Sequence, residues 1–275
     1  MENKGDISLL GCGWLGLPLA KSLIFSGFTV KATTTSESKL EVFRDEGIDP
    51  YLVQFSVAGQ IPDLGKFFDT ETLIITIPPG RKDPNGFENY QQMIQFVCKQ
   101  LPSSNISRVI LISSTSVYAD NNDEVDERVK VQPESDSGIL MVDTELLLAN
   151  QHVNLISLRL AGLIGPDRMP GRFFAGKSNI PNGLAPINLI HLNDAVGIIN
   201  TLIKNKLASG IYNACAPLHP TKAEFYTLAA EVEGLPRPGF ILEKNKWKII
   251  TCPRIEKELG YQFEIPSSME WLVSL

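Results

Sequence analysis

Ile7-Ser8-Leu9-Leu10, then Gly11-Cys12-Gly13-Trp14-Leu15-Gly16, then Leu17-Pro18-Leu19-Ala20-Lys21-Ser22-Leu23, is an apolar run, a glycine turn and an amphipathic stretch in that order. The spacing predicts a strand that ends in a tight turn and passes directly into a helix. Gly11 permits the turn, Gly13 lets backbone approach a pyrophosphate, and Gly16 lets helix and strand pack closely. The helix N-terminus then faces negative charge. Such glycine runs also occur in ordinary strand-helix turns, but the strand before and the helix after make this one read as a dinucleotide cradle.

Outward from that stretch, apolar strand-like runs alternate with helical patterns for about 160 residues, as a doubly wound parallel α/β sheet requires. Strands are expected at 6–10, 28–33, 51–55, 72–77, 108–114 and 154–160, and helices near 15–26, 36–46, 87–101 and 137–151. Thr72-Leu73-Ile74-Ile75-Thr76-Ile77 is almost unbroken in apolar character and stops at Pro78-Pro79-Gly80, which suits a central strand buried on both faces. Beyond residue 165 the rhythm gives way to Gly- and Pro-rich sequence. It resumes with a strand at 187–191, a helix at 193–205, a strand near 211–214 and a helix at 221–233. The expected organisation is a dinucleotide-binding domain over 1–165, to which 187–215 returns, and a smaller substrate lobe built from 166–186 and 216–275.

With 31 acidic and 25 basic residues among 275, and 43% hydrophobic residues, the chain reads as an ordinary globular protein. Its acidic balance argues against nucleic acid or an anionic membrane as main partner, so any bound anion is met by local cations. No signal-like start or bilayer-spanning stretch is present, and cytoplasm is the expected location. Cys12, Cys98, Cys215 and Cys252 are too scattered for a zinc site or redox pair, and no metal site is expected.

The fifth strand delivers Ser113-Ser114-Thr115-Ser116-Val117-Tyr118, and further on come Leu158-Arg159-Leu160-Ala161-Gly162-Leu163-Ile164-Gly165-Pro166 and Asn188-Leu189-Ile190-His191-Leu192-Asn193-Asp194-Ala195. With the glycine turn and Gly210-Ile211-Tyr212-Asn213, these segments resemble the extended branch of the short-chain dehydrogenase/reductase superfamily, the NAD-dependent epimerases and dehydratases, over nearly the whole chain. The likeness is strongest to a little-characterised bacterial group that shares Gly-x-Gly-Trp-Leu-Gly, Ser-Ser-Thr-Ser-Val-Tyr and Pro170-Gly171-Arg172-Phe173-Phe174-Ala175-Gly176-Lys177. The resemblance implies a Rossmann fold and a nicotinamide cofactor lined by Gly11, Cys12, Gly13, Trp14, Leu15, Gly16, Thr33, Thr34, Thr35, Ile77, Pro78, Ser113, Leu160 and Ala161.

The same resemblance implies a Tyr and a Lys four residues apart on the helix after the fifth strand, where the Lys lowers the Tyr pKa for proton transfer. Those positions hold Ser137 and Met141, and none of the chain's tyrosines has Lys four residues on. Ser114 matches the family's catalytic hydroxyl. A serine without a base does not exchange protons readily near neutrality, so it reads equally as a substrate-positioning group or as a hydroxyl satisfying backbone at a strand end. Thr115-Ser116 stand where 4,6-dehydratases place Asp-Glu, which removes that subgroup.

The second strand ends in Lys31-Ala32-Thr33-Thr34-Thr35-Ser36, with Lys39 shortly after and no carboxylate at the strand end to bind ribose hydroxyls. Hydroxyls with a nearby cation favour NADP over NAD; the alternative is that they simply end a strand and cap the next helix. Gln54-Phe55-Ser56 replaces the adenine-contacting Asp that the resemblance implies. Arg168, Arg172 and Lys177 fall in a loop that the resemblance sets over the active-site mouth. There they would clamp an anionic small molecule, with Tyr118 also on the substrate side; the plain alternative is a solvated cationic loop. His191 and Asp194 read as fold-holding residues more than as a catalytic pair, and the acidic run 120–128 as solvated loop. Three classes stay open: an atypical NADP-linked oxidoreductase or epimerase-like enzyme, a non-catalytic nucleotide-binding sensor, and a reductase of the 6-phosphogluconate type. The strands expected at 187–191 and 211–214 count against the last. A monomer and a homodimer fit equally.

Overall fold

The computed structural model describes residues 4–54, 64–80 and 83–275; Phe55 and Ser56 lie outside them. Two compact units result: residues 1–117, 133–158 and 202–211 form one, and residues 118–132, 159–201 and 212–275 the other.

The first unit carries β1 (Asp6–Leu10), α1 (Gly16–Phe25), β2 (Thr29–Thr34), α2 (Lys39–Asp45), β3 (Asp49–Leu52), α3 (Gly65–Phe68), β4 (Thr72–Ile75), α4 (Gly86–Gln100), β5 (Arg108–Ser114), α5 (Asp136–Ala149) and most of β7 (Asn154–Leu160). With β10 (Gly210–Ala214), the strands form a seven-stranded sheet in the order β10-β7-β5-β4-β1-β2-β3, and the neighbours from β3 to β5 pair in parallel. All of β4 is buried, as its unbroken apolar sequence requires. Strand pairing stops at Ile75, short of the expected Ile77, where β1 gives way to the glycine turn and Thr76 supplies the last rung. Its amide donates to Leu10 O and its hydroxyl to Gly11 O. β3 begins and ends earlier than the expected 51–55, in a register that pairs Lys31 with Asp49 and Thr34 with Leu52.

A buried Arg108 opens β5 and fastens it to the C-terminal end of α6 (Leu192–Lys204). Its guanidinium donates to Leu202 O at 2.7 Å, Asn205 O at 2.9 Å and Ile203 O at 3.3 Å. A cation at carbonyls left open by a helix end satisfies both hydrogen bonding and the helix dipole.

The second unit contains β6 (Asp123–Val125), β8 (Gly162–Ile164), β9 (Leu189–His191), α7 (Lys222–Val232), β11 (Lys248–Ile250), α8 (Pro253–Leu259) and α9 (Ser268–Val273). Its core gathers Ile164, Leu189, Phe225, Ala229, Trp271 and Leu272. Thr221 and Glu224 close a reciprocal capping box at the start of α7. The division differs from the sequence-based one for a physical reason: β6 pairs with β11 and β8 with β9, both in parallel, which groups 118–132 and 187–201 with the C-terminal segments. No described helix is long and apolar enough to cross a membrane.

Candidate functional site

The three glycines of the turn do three different things. Gly11 has φ +105°, a left-handed conformation that favours glycine, and a Cβ there would fall inside 3.0 Å of the Ile77 side chain. Gly16 sits so close to the Gly11 carbonyl that a Cβ would fall well inside 3.0 Å of its oxygen. Gly13 is exposed, and a Cβ there would meet nothing within 4 Å. The turn is therefore closed by packing at both ends and open in the middle.

Its frame is held from β2. Thr33 Oγ1 accepts the Gly11 amide at 2.8 Å, and Thr33 O accepts that of Cys12 at 2.9 Å. Thr33 is buried and thus supports the turn, while Ile77 packs against Gly11 and Pro78 is exposed. Leu15 stands at the N-cap of α1 without a side-chain cap hydrogen bond, and the first turn holds no acidic residue. An uncapped helix start without acidic side chains is an arrangement suited to an anion. Trp14 is half-buried and Leu15 buried. Burial pushes the Cys12 thiol up to about 12, with the Lys39 charge opposing it, so at neutral pH Cys12 is an inert part of the wall.

At the end of β2, Thr34 Oγ1 accepts the Ser36 amide at 3.2 Å, the Ser36 and Ser38 hydroxyls lie 2.8 Å apart, and the Gln54 side-chain Nε2 donates to Thr35 O at 3.3 Å. Thr35, Glu37 and Lys39 are exposed. Lys31, by contrast, is tied to Lys66 O at 2.9 Å and Asp69 O at 2.6 Å.

The hydroxyl cluster closing β5 is split between two partners. Ser114 Oγ accepts the Ser116 amide at 3.1 Å, which leaves its proton free to be donated. Buried Ser113 donates to Glu145 on α5 at 2.6 Å. The start of α5 is brought against this cluster: a Cβ on Gly138 would fall inside 3.0 Å of Ser116 O. Ser135 caps α5 by accepting the Gly138 amide at 3.2 Å, and its hydroxyl lies 3.3 Å from that of Ser137. Ser137 and Met141 are both buried, so the face where the resemblance implies Tyr and Lys presents a hydroxyl and a thioether. Glu145, four residues beyond Met141, escaped the sequence reading. Its signal was there: a carboxylate in phase with 137 and 141 within an otherwise leucine-rich stretch.

In the second unit, Tyr118 is 2% exposed. Its hydroxyl donates to Asn213 Oδ1 at 2.9 Å and accepts from Arg159 at 2.7 Å, with the guanidinium 5.0 Å above its ring. Burial raises its pKa, and Arg159 opposes the shift. Tyr118 is thus enclosed in a network and does not face solvent. Leu160 and Ala161 are also buried, and the Ala161 amide donates to Ala214 O at 2.9 Å.

Arg168, Arg172 and Lys177 are exposed on a well-anchored loop. The Gly171 amide donates to the Glu233 carboxylate of α7, and a Cβ on Gly171 would fall inside 3.0 Å of Ala229 O. Phe174 lies between Tyr226 at 4.7 Å and Phe240 at 5.8 Å, and Lys177 donates to Phe173 O at 2.9 Å. Burial lowers the Arg168 pKa from its ordinary value.

The remaining singled-out residues hold the fold. His191 Nδ1 accepts the Asn193 amide at 3.2 Å, and its ring lies 5.1 Å from Trp271. Asp194 caps a distant segment and not its own helix, accepting the amides of Glu264 at 2.7 Å and Ile265 at 3.0 Å and the Tyr261 hydroxyl at 3.0 Å. In the acidic run, Asp120 pairs with Lys248 at 2.7 Å, Asp126 with Arg128, and Glu127 accepts the Asn213 amide at 3.0 Å. No group of three metal-ligating side chains occurs among the described residues.

No family profile matches the chain. Protein YeeZ of Escherichia coli K12 is 39% identical over 268 residues, covering 96% of this chain and 97% of that protein. Among solved structures, a functionally unknown conserved protein from Silicibacter pomeroyi matches with TM-score 0.78 at 23% identity, over 99% of this chain and 98% of that one. MoeE5 in complex with UDP-glucose and NAD matches with TM-score 0.79 at 19% identity, over 98% and 96%. A putative NAD-dependent epimerase/dehydratase from Methylobacillus flagellatus matches with TM-score 0.77 at 21% identity, over 98% and 97%. At these identities the solved structures establish the Rossmann-type α/β fold.

Proposed function

Because this chain belongs to the YeeZ group of the extended short-chain dehydrogenase/reductase branch, we propose that it binds NADP as an atypical epimerase- or oxidoreductase-type enzyme. The observation that carries the nucleotide reading is the opening at Gly13 beside an uncapped helix start, in a turn otherwise closed by packing at Gly11 and Gly16. A pyrophosphate fits there, because backbone amides are on offer and no Cβ intervenes. The NAD held by MoeE5 supports a nicotinamide nucleotide in general. The preference for NADP rests on hydroxyls and exposed Lys39 at the end of β2, where a carboxylate would repel a 2′-phosphate.

A bound nicotinamide supplies reversible hydride acceptance. In this chain Ser114 holds a substrate oxygen through its free hydroxyl proton, and Ser113, fixed by Glu145, keeps the end of β5 in place. Neither Ser137 nor Met141 is a proton donor of useful pKa, so proton transfer falls to the substrate itself or to water. Arg172 and Lys177, with Arg168, attract an anionic small molecule, in keeping with the UDP-sugar ligand of MoeE5. The protein acts in the cytoplasm, on a small molecule and not on nucleic acid. The buried, non-titrating pair at 137 and 141 also favours a second reading, nucleotide binding without turnover.

NADPH should raise the melting temperature more than NADH at equal concentration. Absence of any shift with both refutes the cradle. Substrate-dependent oxidation of NADPH that is lost in Ser114→Ala, with nucleotide affinity retained, selects the enzyme over the sensor.

A further inference from the structure

Asn-Gly occurs twice in the chain, each time after proline: Pro84-Asn85-Gly86 in the first unit and Pro181-Asn182-Gly183 in the second. The dipeptide has a chemistry of its own. The glycine nitrogen attacks the asparagine side-chain carbonyl carbon, because no glycine side chain crowds the approach and glycine tolerates the backbone rotation that it requires. A new N–C bond closes a succinimide ring, the C–N bond of the side-chain amide breaks, and ammonia leaves. Water then opens the ring at either carbonyl, giving aspartate, or isoaspartate in which the main chain runs through the former side chain. Since the local sequence is the same at both places, the surroundings decide which site reacts.

Asn182 is clamped at φ +60°. Its side-chain oxygen accepts the Asn245 amide at 2.9 Å, and its own amide donates to Glu243 Oε1 at 3.3 Å. Gly183 is buried, its amide donates to Ile241 O at 2.8 Å, and its carbonyl accepts the Ala223 amide at 2.9 Å. All four partners lie far along the chain, so freeing the Gly183 nitrogen means undoing tertiary structure.

Asn85 is exposed, and among the described residues its side chain makes no hydrogen bond, although it stands at the N-cap of α4. Turning the Asn85–Gly86 peptide about its two α-carbons gives up two hydrogen bonds. These are the Gly86 amide to Asp83 O at 2.9 Å and the Asn89 amide to Asn85 O at 2.9 Å, both local to the first turn. The close approach of Gly86 to Gly80 fixes the α-carbon and not the peptide plane, so it survives the rotation. A helix end opens at lower free energy than a clamp of tertiary contacts.

We propose that Asn85 is a self-modifying site, which converts to aspartate and isoaspartate in the folded chain while Asn182 is protected. The product places a carboxylate at a helix start that lacks a side-chain cap, where the helix dipole favours negative charge. The isoaspartate form also lengthens the main chain by one methylene at the point where α4 meets Gly80.

The test holds the full chain folded in oxygen-18 water at mildly alkaline pH, beside the same chain in urea, and follows the two Pro-Asn-Gly peptides by mass spectrometry. Each passage through the ring takes up one oxygen-18 atom, which separates it from reaction during a digest in ordinary water. In urea the two sites should convert at rates within about twofold of each other. In the folded chain Asn85 should convert at least tenfold faster than Asn182, to a mixture of aspartate and isoaspartate. No conversion at Asn85, equal rates at the two sites, or faster conversion at Asn182 in the folded chain overturns the proposal. Unequal rates in urea overturn the part assigned to the surroundings, and aspartate without isoaspartate overturns the ring-closure route.

Discussion

Gly13→Val separates a phosphate-binding glycine from a structural one. The new side chain starts from a Cβ with no protein atom within 4 Å and from a φ outside the left-handed region, so the folded chain accommodates it. What it fills is the space a pyrophosphate would occupy. Losing two charge-assisted hydrogen bonds at about 1.5–3 kcal/mol each removes roughly 3–6 kcal/mol, a 10²- to 10⁴-fold drop in nucleotide affinity. Gly16→Ala is the contrasting perturbation. Its methyl would fall on the Gly11 carbonyl, backbone against backbone, so α1 must shift. Overpacking of this kind costs about 1–3 kcal/mol, and at this chain length each kcal/mol moves the melting temperature by about 2 °C. Isothermal titration with NADPH and thermal unfolding, run on both variants, give a crossed pattern: affinity lost with stability kept for Gly13→Val, and stability lost for Gly16→Ala. Wild-type affinity in Gly13→Val, or a melting temperature lowered as far as in Gly16→Ala, refutes the geometry assigned to the turn.

Three further outcomes follow from particular contacts. Arg108→Met should lower unfolding free energy by about 2–4 kcal/mol in urea titration, since carbonyls at the end of α6 lose a buried donor. Lys39→Glu should weaken NADPH by roughly tenfold while changing NADH by less than about twofold, as measured by titration. Burial lowers the His191 pKa below its usual 6.5, with Asp194 and Glu264 opposing. The unfolded chain therefore binds more protons in that window, so stability is full above pH 6.5 and falls as pH drops through the folded value. His219, also lowered by burial, acts in the same direction. Denaturation between pH 5 and 7 should show a shallower slope, not a flat one, in His191→Phe; an unchanged slope contradicts the assignment.

The parallel sheet was legible because its strands are buried on both faces and leave continuous apolar runs, as in Thr72-Leu73-Ile74-Ile75. The short elements were not. β6, β8 and β11 have three residues each, and pairings such as Asp123 with Lys248 link positions far apart in sequence, which no local pattern records. Gly11, Gly13 and Gly16 were legible as a motif, but that only Gly13 leaves open space depends on where Ile77 and the Gly11 carbonyl lie. The reading of Thr33 changed in the same way. A hydroxyl at a strand end looks like a ribose contact, and its buried oxygen proves also to accept the Gly11 amide and so to frame the turn.

Tyr118 and Glu145 show why the chemistry was harder to read than the fold. Tyr118 has the residue type a site needs, yet its hydroxyl is enclosed by Arg159 and Asn213, and such a group organises its surroundings more readily than it transfers a proton. Glu145 belongs to no part of the expected motif, yet it is the buried carboxylate that holds Ser113 next to Ser114. The end of β5 therefore stays fixed although Ser137 and Met141 offer nothing to titrate. This support and the opening at Gly13 are the observations on which the proposed nucleotide binding rests, and turnover then depends on what Ser114 is given to hold.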